Sequence, residues 1–262
     1  MTDPVLLTRE GAVARLTLNR AEAGNAIDPA MAKALREAAI LCAEDSAIRC
    51  VVLRASGRIF CAGGDIGAFS SQLDNLGALT RTLTADLHAA MAIFARMEKP
   101  LVTAVNGPAA GAGFSMALAG DLVLAGQSAV FAPAYGAIGL SPDGGASWLL
   151  PKLVGLRRAQ EMLLLGQRLT AEQALAERMV TRLCPDDTLH AEADELAARV
   201  AGGAVRAWGR TRSLLLESFT ATLPEQLDAE ARFIAQSGND PEAREGIGAF
   251  LAKRKPDFLQ GS

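Results

Sequence analysis

The chain has 262 residues, 50% of them hydrophobic and 21% charged, with a formal net charge of −3. This suits one large globular domain, or one domain with an appendage. It excludes a basic nucleic-acid track, because Lys253-Arg254-Lys255 is the only cluster of its kind and is too short.

No apolar run approaches the roughly 18 residues of a membrane span. Met1-Thr2-Asp3-Pro4 carries neither a basic nor an apolar leader, so secretion is not expected. The cysteines at 42, 50, 61 and 184 form no CxxC pair and read as reduced thiols in a cytoplasmic protein. Two histidines, His88 and His190, supply too few ligands for a zinc site, and no metal is expected.

Residues 5–9 and 12–18 alternate apolar and polar across Glu10-Gly11 and predict a β-hairpin. Asp28-Pro29 opens a helix, with Asp28 as cap and Met31, Leu35 and Ala38 on its apolar face. Cys50–Leu53 is a short apolar run suited to a buried strand. A long helix is predicted over 73–97 from the spacing of Leu83, Leu87, Met91 and Phe94. Pro100 ends it, and a strand at 101–105, a turn at 106–108, a small-residue helix at 111–119 and a strand at 122–124 follow. The recurrence suggests stacked ββα units. After residue 144 only 180–184 reads as strand, whereas 186–201, 203–219, 225–236 and 241–254 read as helices. The division expected is therefore a ββα core over 1–195 and a helical region over 196–262.

Two glycine-rich segments interrupt this pattern, Cys61-Ala62-Gly63-Gly64-Asp65 and Gly107-Pro108-Ala109-Ala110-Gly111-Ala112-Gly113. Glycine lets the backbone turn with positive φ and lets another molecule approach its N–H groups. The second segment runs directly into a helix, whose first N–H groups lack partners in their own helix. Two such donors converging on one oxygen make an oxyanion hole, often worth about 3–4 kcal/mol per donor to a developing anion. Neither segment is a P-loop or a GxGxxG fingerprint.

Further stretches lie in register with these turns: Leu18-Asn19-Arg20, Asn25-Ala26-Ile27-Asp28, Lys99-Pro100, Val105-Asn106-Gly107 and Ala119-Gly120-Asp121-Leu122. Gly139-Leu140-Ser141-Pro142-Asp143-Gly144-Gly145, Leu149-Leu150-Pro151-Lys152 and the tail from Ala249 to Phe258 continue the series. Together they span essentially the whole chain, which resembles the enoyl-CoA hydratase/isomerase family, the crotonase superfamily. The resemblance implies an α/β fold, a crotonase-like spiral of ββα units with a C-terminal helical trimerisation region. It implies an acyl-CoA substrate and a homotrimer or dimer of trimers, with no cofactor beyond the CoA moiety. By position the oxyanion donors are Gly64 and Ala112. Substrate contacts are implied at Gly24, Asn25 and Ala26, along Ala62, Asp65 and Ile66, and at Phe250 and Lys253, which match positions that reach a neighbouring subunit's CoA in relatives.

The typical hydratase of this family uses two glutamates, and their positions fall here at Ser115 and Tyr135. The remaining well-placed carboxylate is Asp143. Ser141 as a cap and Pro142 as the first helical residue would instead make Asp143 an ordinary first-turn acid. Some isomerases, including the one acting in phenylacetate breakdown, carry an aspartate in this turn, where it shuttles a proton between carbons of the enoyl chain. The resemblance thus implies a double-bond isomerase with Asp143 as acid and base. The alternatives are hydration through Asp143 and a water oriented by Ser115, aryl-CoA dehalogenation through His88 and Asp143, and a non-catalytic acyl-CoA binder. Tyr135 is expected to donate a hydrogen bond in the pocket or to form its wall. Asp65 is expected to fix its own loop, and Cys61 is not expected to act as a nucleophile.

Overall fold

The structure, a computed structural model, describes residues 3–259. The first two residues of the expected core and the last three of the expected helical region lie outside it. The hairpin forms as predicted from β1 (Val5–Glu10) and β2 (Val13–Leu18), paired antiparallel with Val5 opposite Leu18. Helix α1 (Pro29–Glu44) starts where Asp28 accepts the Met31 N–H at 2.8 Å, and Pro29 sits at N1, which needs no N–H partner. Strand β3 (Cys50–Ala55) follows, then a short α2 (Ile66–Ser70) and the long α3 (Leu76–Arg96). The chain continues through β4 (Leu101–Val105), β5 (Ala109–Ala110), α4 (Ala112–Leu118), β6 (Leu122–Gly126) and β7 (Val130–Ala132).

Beyond residue 144 the sequence predicted only one strand before its helices. The structure adds α5 (Ala146–Val154), α6 (Leu156–Leu165), β8 (Leu169–Thr170) and α7 (Ala171–Ala176) ahead of β9 (Arg182–Cys184). Strands of two or three residues, such as β5, β7 and β8, are too short to show an alternation. Four helices follow near the predicted places: α8 (Leu189–Ala201), α9 (Val205–Glu217), α10 (Leu223–Asn239) and α11 (Pro241–Leu251).

The main sheet has the order β1-β2-β3-β4-β6-β9 and is parallel from β2 onward. Its register aligns Leu16, Leu53, Thr103 and Val123 across four strands. A second line of pairings runs beside it. Ile27 bridges Gly64, Cys61 bridges Ala109, β5 pairs with β7, and β7 pairs with β8. Successive turns of chain thus stack on one another, which is the ββα spiral.

The parallel sheet is buried on both faces, so β3 and β4 are nearly continuous apolar runs. Val51 and Leu53 face the cluster that includes Leu35 of α1 and Leu87 of α3. Cys50 and Val52 face the other way, onto Leu189, Ala193 and Ala197 of α8. Burying each such Val or Leu contributes about 1.5–3 kcal/mol. The expected division at 195/196 falls inside α8, which lies on the sheet; the helices beyond that layer begin with α9.

Polar contacts tie this layer down. Arg49 and Glu242, 6% and 8% exposed, pair at 3.0 Å, and Arg49 also donates to the carbonyls of Ala201 and Gly203 at 2.7 Å. Removing one member of a buried pair costs about 3–5 kcal/mol, so this pair fastens α11 to the core. Lys99 donates to the Cys42, Ala43 and Asp45 carbonyls at the end of α1. Asp121 accepts from the Leu101 N–H at 2.7 Å and pairs with Arg212 of α9 at 2.8 Å. The Lys99-Pro100 and Gly120-Asp121 motifs are therefore fixtures of the fold, remote from chemistry.

Candidate active site

The two glycine turns meet backbone to backbone. The Ala110 N–H donates to the Cys61 carbonyl at 2.9 Å, and the Cys61 N–H donates to Pro108 at 3.2 Å. A Cβ on Gly113 would run into the Cys61 backbone, so only glycine permits α4 to pack this closely. Gly63 at φ +95° and Gly111 at φ +51° occupy the region that side chains disfavour.

Several N–H groups around the turns have acceptors. Ala62 donates to Gly24 at 2.9 Å, Gly63 to Cys61 Sγ at 3.4 Å, Asp65 to Ile27 at 3.0 Å and Gly111 to Ala132 at 3.0 Å. Among the described residues, the Gly64 and Ala112 N–H groups have no acceptor in the protein. Both residues line one cavity of about 800 Å³, together with Ala62 and Ile66. Helix α4 has only seven residues, so the local N–H groups, and not a long helix dipole, provide the positive field.

Side chains hold the first turn in place. Asp65 caps α2 by accepting the Ala68 N–H at 3.1 Å and pairs with Arg20 at 3.1 Å. Burial opposes its ionisation, but those two donors outweigh it and hold its carboxyl below the ordinary value. Asn25, fully buried, accepts from the Arg20 N–H and donates to the Ser56 and Ile59 carbonyls. Gly24 and Ala26 flank it behind the Ala62 segment, outside the cavity lining. Asp65 is also outside the lining, and its contacts fix the loop. Cys61 is fully buried; burial pushes its thiol up to about 12, and it accepts a hydrogen bond from Gly63. A protonated, enclosed thiol has no nucleophilic role. The sequence reading missed Phe69, whose ring covers Gly64. A Cβ there would come within 2.5 Å of it.

The opposite wall is built from side chains. Thr80, Thr84 and His88 lie four residues apart on α3 and turn one face to the cavity. Tyr135 and Asp143 complete that wall. Asp143 does not begin a helix: α5 starts at Ala146 after Gly144 and Gly145, both with positive φ, so the first-turn placement is overturned. The Tyr135 hydroxyl donates to Asp143 Oδ1 at 2.9 Å. Ser115 Oγ lies 2.6 Å from that hydroxyl and 2.8 Å from the Asp143 carbonyl, and its single proton serves one of these two contacts at a time. Ser115 is 1% exposed and absent from this cavity's lining. Its hydrogen-bond contacts are to Tyr135 and the Asp143 turn.

Burial pushes the Asp143 carboxyl above its ordinary value, against the opposing pull of the Tyr135 hydroxyl. Burial likewise raises the Tyr135 phenol, which stays a hydrogen-bond donor. His88 Nε2 accepts the Gly144 N–H at 3.0 Å, and that bond requires a lone pair on Nε2. Phe250, 82% exposed, and Lys253 after α11 lie outside the cavity lining. The cavity thus unites Gly64, Ala112, Asp143, His88 and Tyr135, and leaves those two residues apart.

The sequence profile of the enoyl-CoA hydratase/isomerase family matches residues 8–261. The 1,2-epoxyphenylacetyl-CoA isomerase of Escherichia coli (strain K12) is 38% identical, over 98% of this chain and 99% of its own. A probable enoyl-CoA hydratase of Rhodobacter capsulatus is 39% identical over 94% of each chain. The crystal structure of an enoyl-CoA hydratase from Polaromonas sp. JS666 superposes with a TM-score of 0.92 at 34% identity, covering 97% of this chain and 98% of that one. The chain belongs to the enoyl-CoA hydratase/isomerase family, the crotonase superfamily.

Proposed function

We propose that this acyl-CoA-processing enzyme is an enoyl-CoA double-bond isomerase. The thioester carbonyl accepts hydrogen bonds from the Gly64 and Ala112 N–H groups. Asp143 removes a proton from a carbon α or γ to that carbonyl, and the electron pair moves to the oxygen as an enolate or dienolate. The two N–H groups stabilise the charge. Asp143 then returns a proton to the other carbon, and the double bond shifts. A carboxyl raised by burial is suited to both steps. The reaction so written uses no cofactor beyond the CoA of the substrate.

One observation carries this reading. The positions where a two-glutamate hydratase is expected to hold its carboxylates are Ser115 and Tyr135, whose hydroxyls bond each other and fold onto Asp143. That leaves one carboxylate on the cavity among the described residues. The test is incubation of a 3-enoyl-CoA in heavy water. A 2-enoyl-CoA product with little 3-hydroxyacyl-CoA is expected, and a predominantly hydrated product overturns the reading. Asp143→Asn should abolish α-proton exchange while acyl-CoA still binds.

A second reading is favoured by the presence of His88 and Asp143 on the same cavity. Dehalogenation of an aryl-CoA would show as halide release from 4-chlorobenzoyl-CoA. His88 Nε2 is engaged by Gly144, so the first reading takes precedence.

For assembly we infer a homotrimer or dimer of trimers in the cytosol. Leu227, Ile234, Ile247 and Phe250 are all more than half exposed on α10 and α11. Such apolar surface suits burial against further copies, where Phe250 and Lys253 would meet a neighbour's CoA. Among the described residues, no helix is long and apolar enough to cross a membrane.

A further inference from the structure

A second cavity, of about 580 Å³, lies behind the catalytic turn. Its walls are mainly apolar, from Leu118, Leu149, Leu153, Leu215 and Phe219 among others, and its charged members Asp121 and Arg212 are already paired. His88 lines both cavities, whereas Asp143 lines only the first and Ser115 and Gly144 only the second. The imidazole spans from α3 to the Gly144 N–H. Gly144 in turn lies against Ser115, where an added Cβ would come within 2.9 Å of the serine Cβ. His88, Gly144 and Ser115 are therefore a continuous partition, and the His88 ring is the one part of it that is a removable side chain outside the Asp143 hydrogen-bond group.

We propose that His88 is a specificity-determining residue that ends the acyl cavity and so sets the longest acyl group the site accepts. The proposal rests on the reading of the first cavity as an acyl-thioester site. An acyl chain entering past Gly64 and Ala112 meets the imidazole and its bond to Gly144. With the ring removed, the chain gains access to an apolar space that can bury further methylenes, each tightening binding by about fourfold.

The experiment measures dissociation constants for saturated acyl-CoAs of increasing length, which have no double bond to shift, on the full-length wild type, H88A, A119F and H88A/A119F. Ala119 lines only the second cavity. In the wild type and A119F, affinity should stop rising at one chain length. In H88A it should go on rising by about fourfold per methylene over several more carbons. In H88A/A119F the wild-type limit should return. The same limit in H88A as in the wild type overturns the partition, as does a double variant that behaves like H88A. If H88A does not fold, H88S replaces it and is judged by the same limits. Absence of acyl-CoA binding at every length in the folded wild type overturns the acyl-thioester reading itself, a result distinct from an unchanged limit.

Discussion

The cavity has two walls made by different means. On the wall proposed to meet the thioester, Gly64 and Ala112 present backbone N–H groups, and side chains hold the turns. On the wall proposed to handle the proton, the side chains of Tyr135, Ser115 and His88 gather around Asp143 and its glycine-bent turn. A backbone wall can bind the same oxygen throughout a family. A side-chain wall is changed one residue at a time, and with it the reaction.

The strongest test of this contrast is Asp143→Asn. It should lower kcat by about 10²–10⁴-fold with little change in acyl-CoA affinity, measured by steady-state kinetics and calorimetry. Because the folded carboxyl is raised, its contribution to stability is full below the unfolded carboxylate's range and is lost as pH rises through the folded value. Asp143→Asn should therefore unfold at a higher temperature than the wild type near neutral pH, with the gap closing in acid. On the other wall, Gly64→Ala brings a methyl against Phe69 and displaces the N–H. A loss of about 10²–10³-fold in kcat is expected, with partial recovery in the G64A/F69A double variant. Equal losses in KM and none in kcat would erase the distinction between the walls.

Tyr135→Phe gives a smaller and more diagnostic effect. The hydroxyl favours the ionised Asp143, so removing it should move the acid limb of the pH–rate profile to higher pH. A limb that stays in place would detach Tyr135 from the proton chemistry. The smallest effect concerns the scaffold of the backbone wall. Asp65→Ala deletes the α2 cap and the Arg20 pair, and thermal or urea unfolding should show a loss of about 1 kcal/mol.

The same contrast explains what the sequence could show. The spiral was legible because long elements leave long patterns. Asp28-Pro29 marks α1, and the 83, 87, 94 spacing marks α3. The thioester wall was legible because close backbone approach demands glycine at fixed places, as at Gly63, Gly111 and Gly113. The proton wall was legible only in its members. Asp143, Tyr135 and His88 could be named, but their hydrogen bonds join residues 8 to 56 apart in the chain. Ser115 reads as a polar residue near the start of a helix, and only the fold shows that it supports Asp143 from behind. Phe69 carries no mark of its role, because an apolar residue that shields a glycine looks like any other member of the core.

The hydroxyls around Asp143 also determine where a hydrogen atom can go. From Asp143 Oδ1 the contacts run to Tyr135, then to Ser115, and end on the carbonyl of Asp143 itself. These contacts run from the carboxyl of one residue to its backbone carbonyl and involve no further side chain. A hydrogen taken up by this carboxyl meets substrate and solvent through the cavity that Asp143 lines. In isotopic terms the proposed isomerisation keeps a partial memory: a deuterium lifted from the α carbon should be delivered in part to the γ carbon, in competition with exchange to solvent.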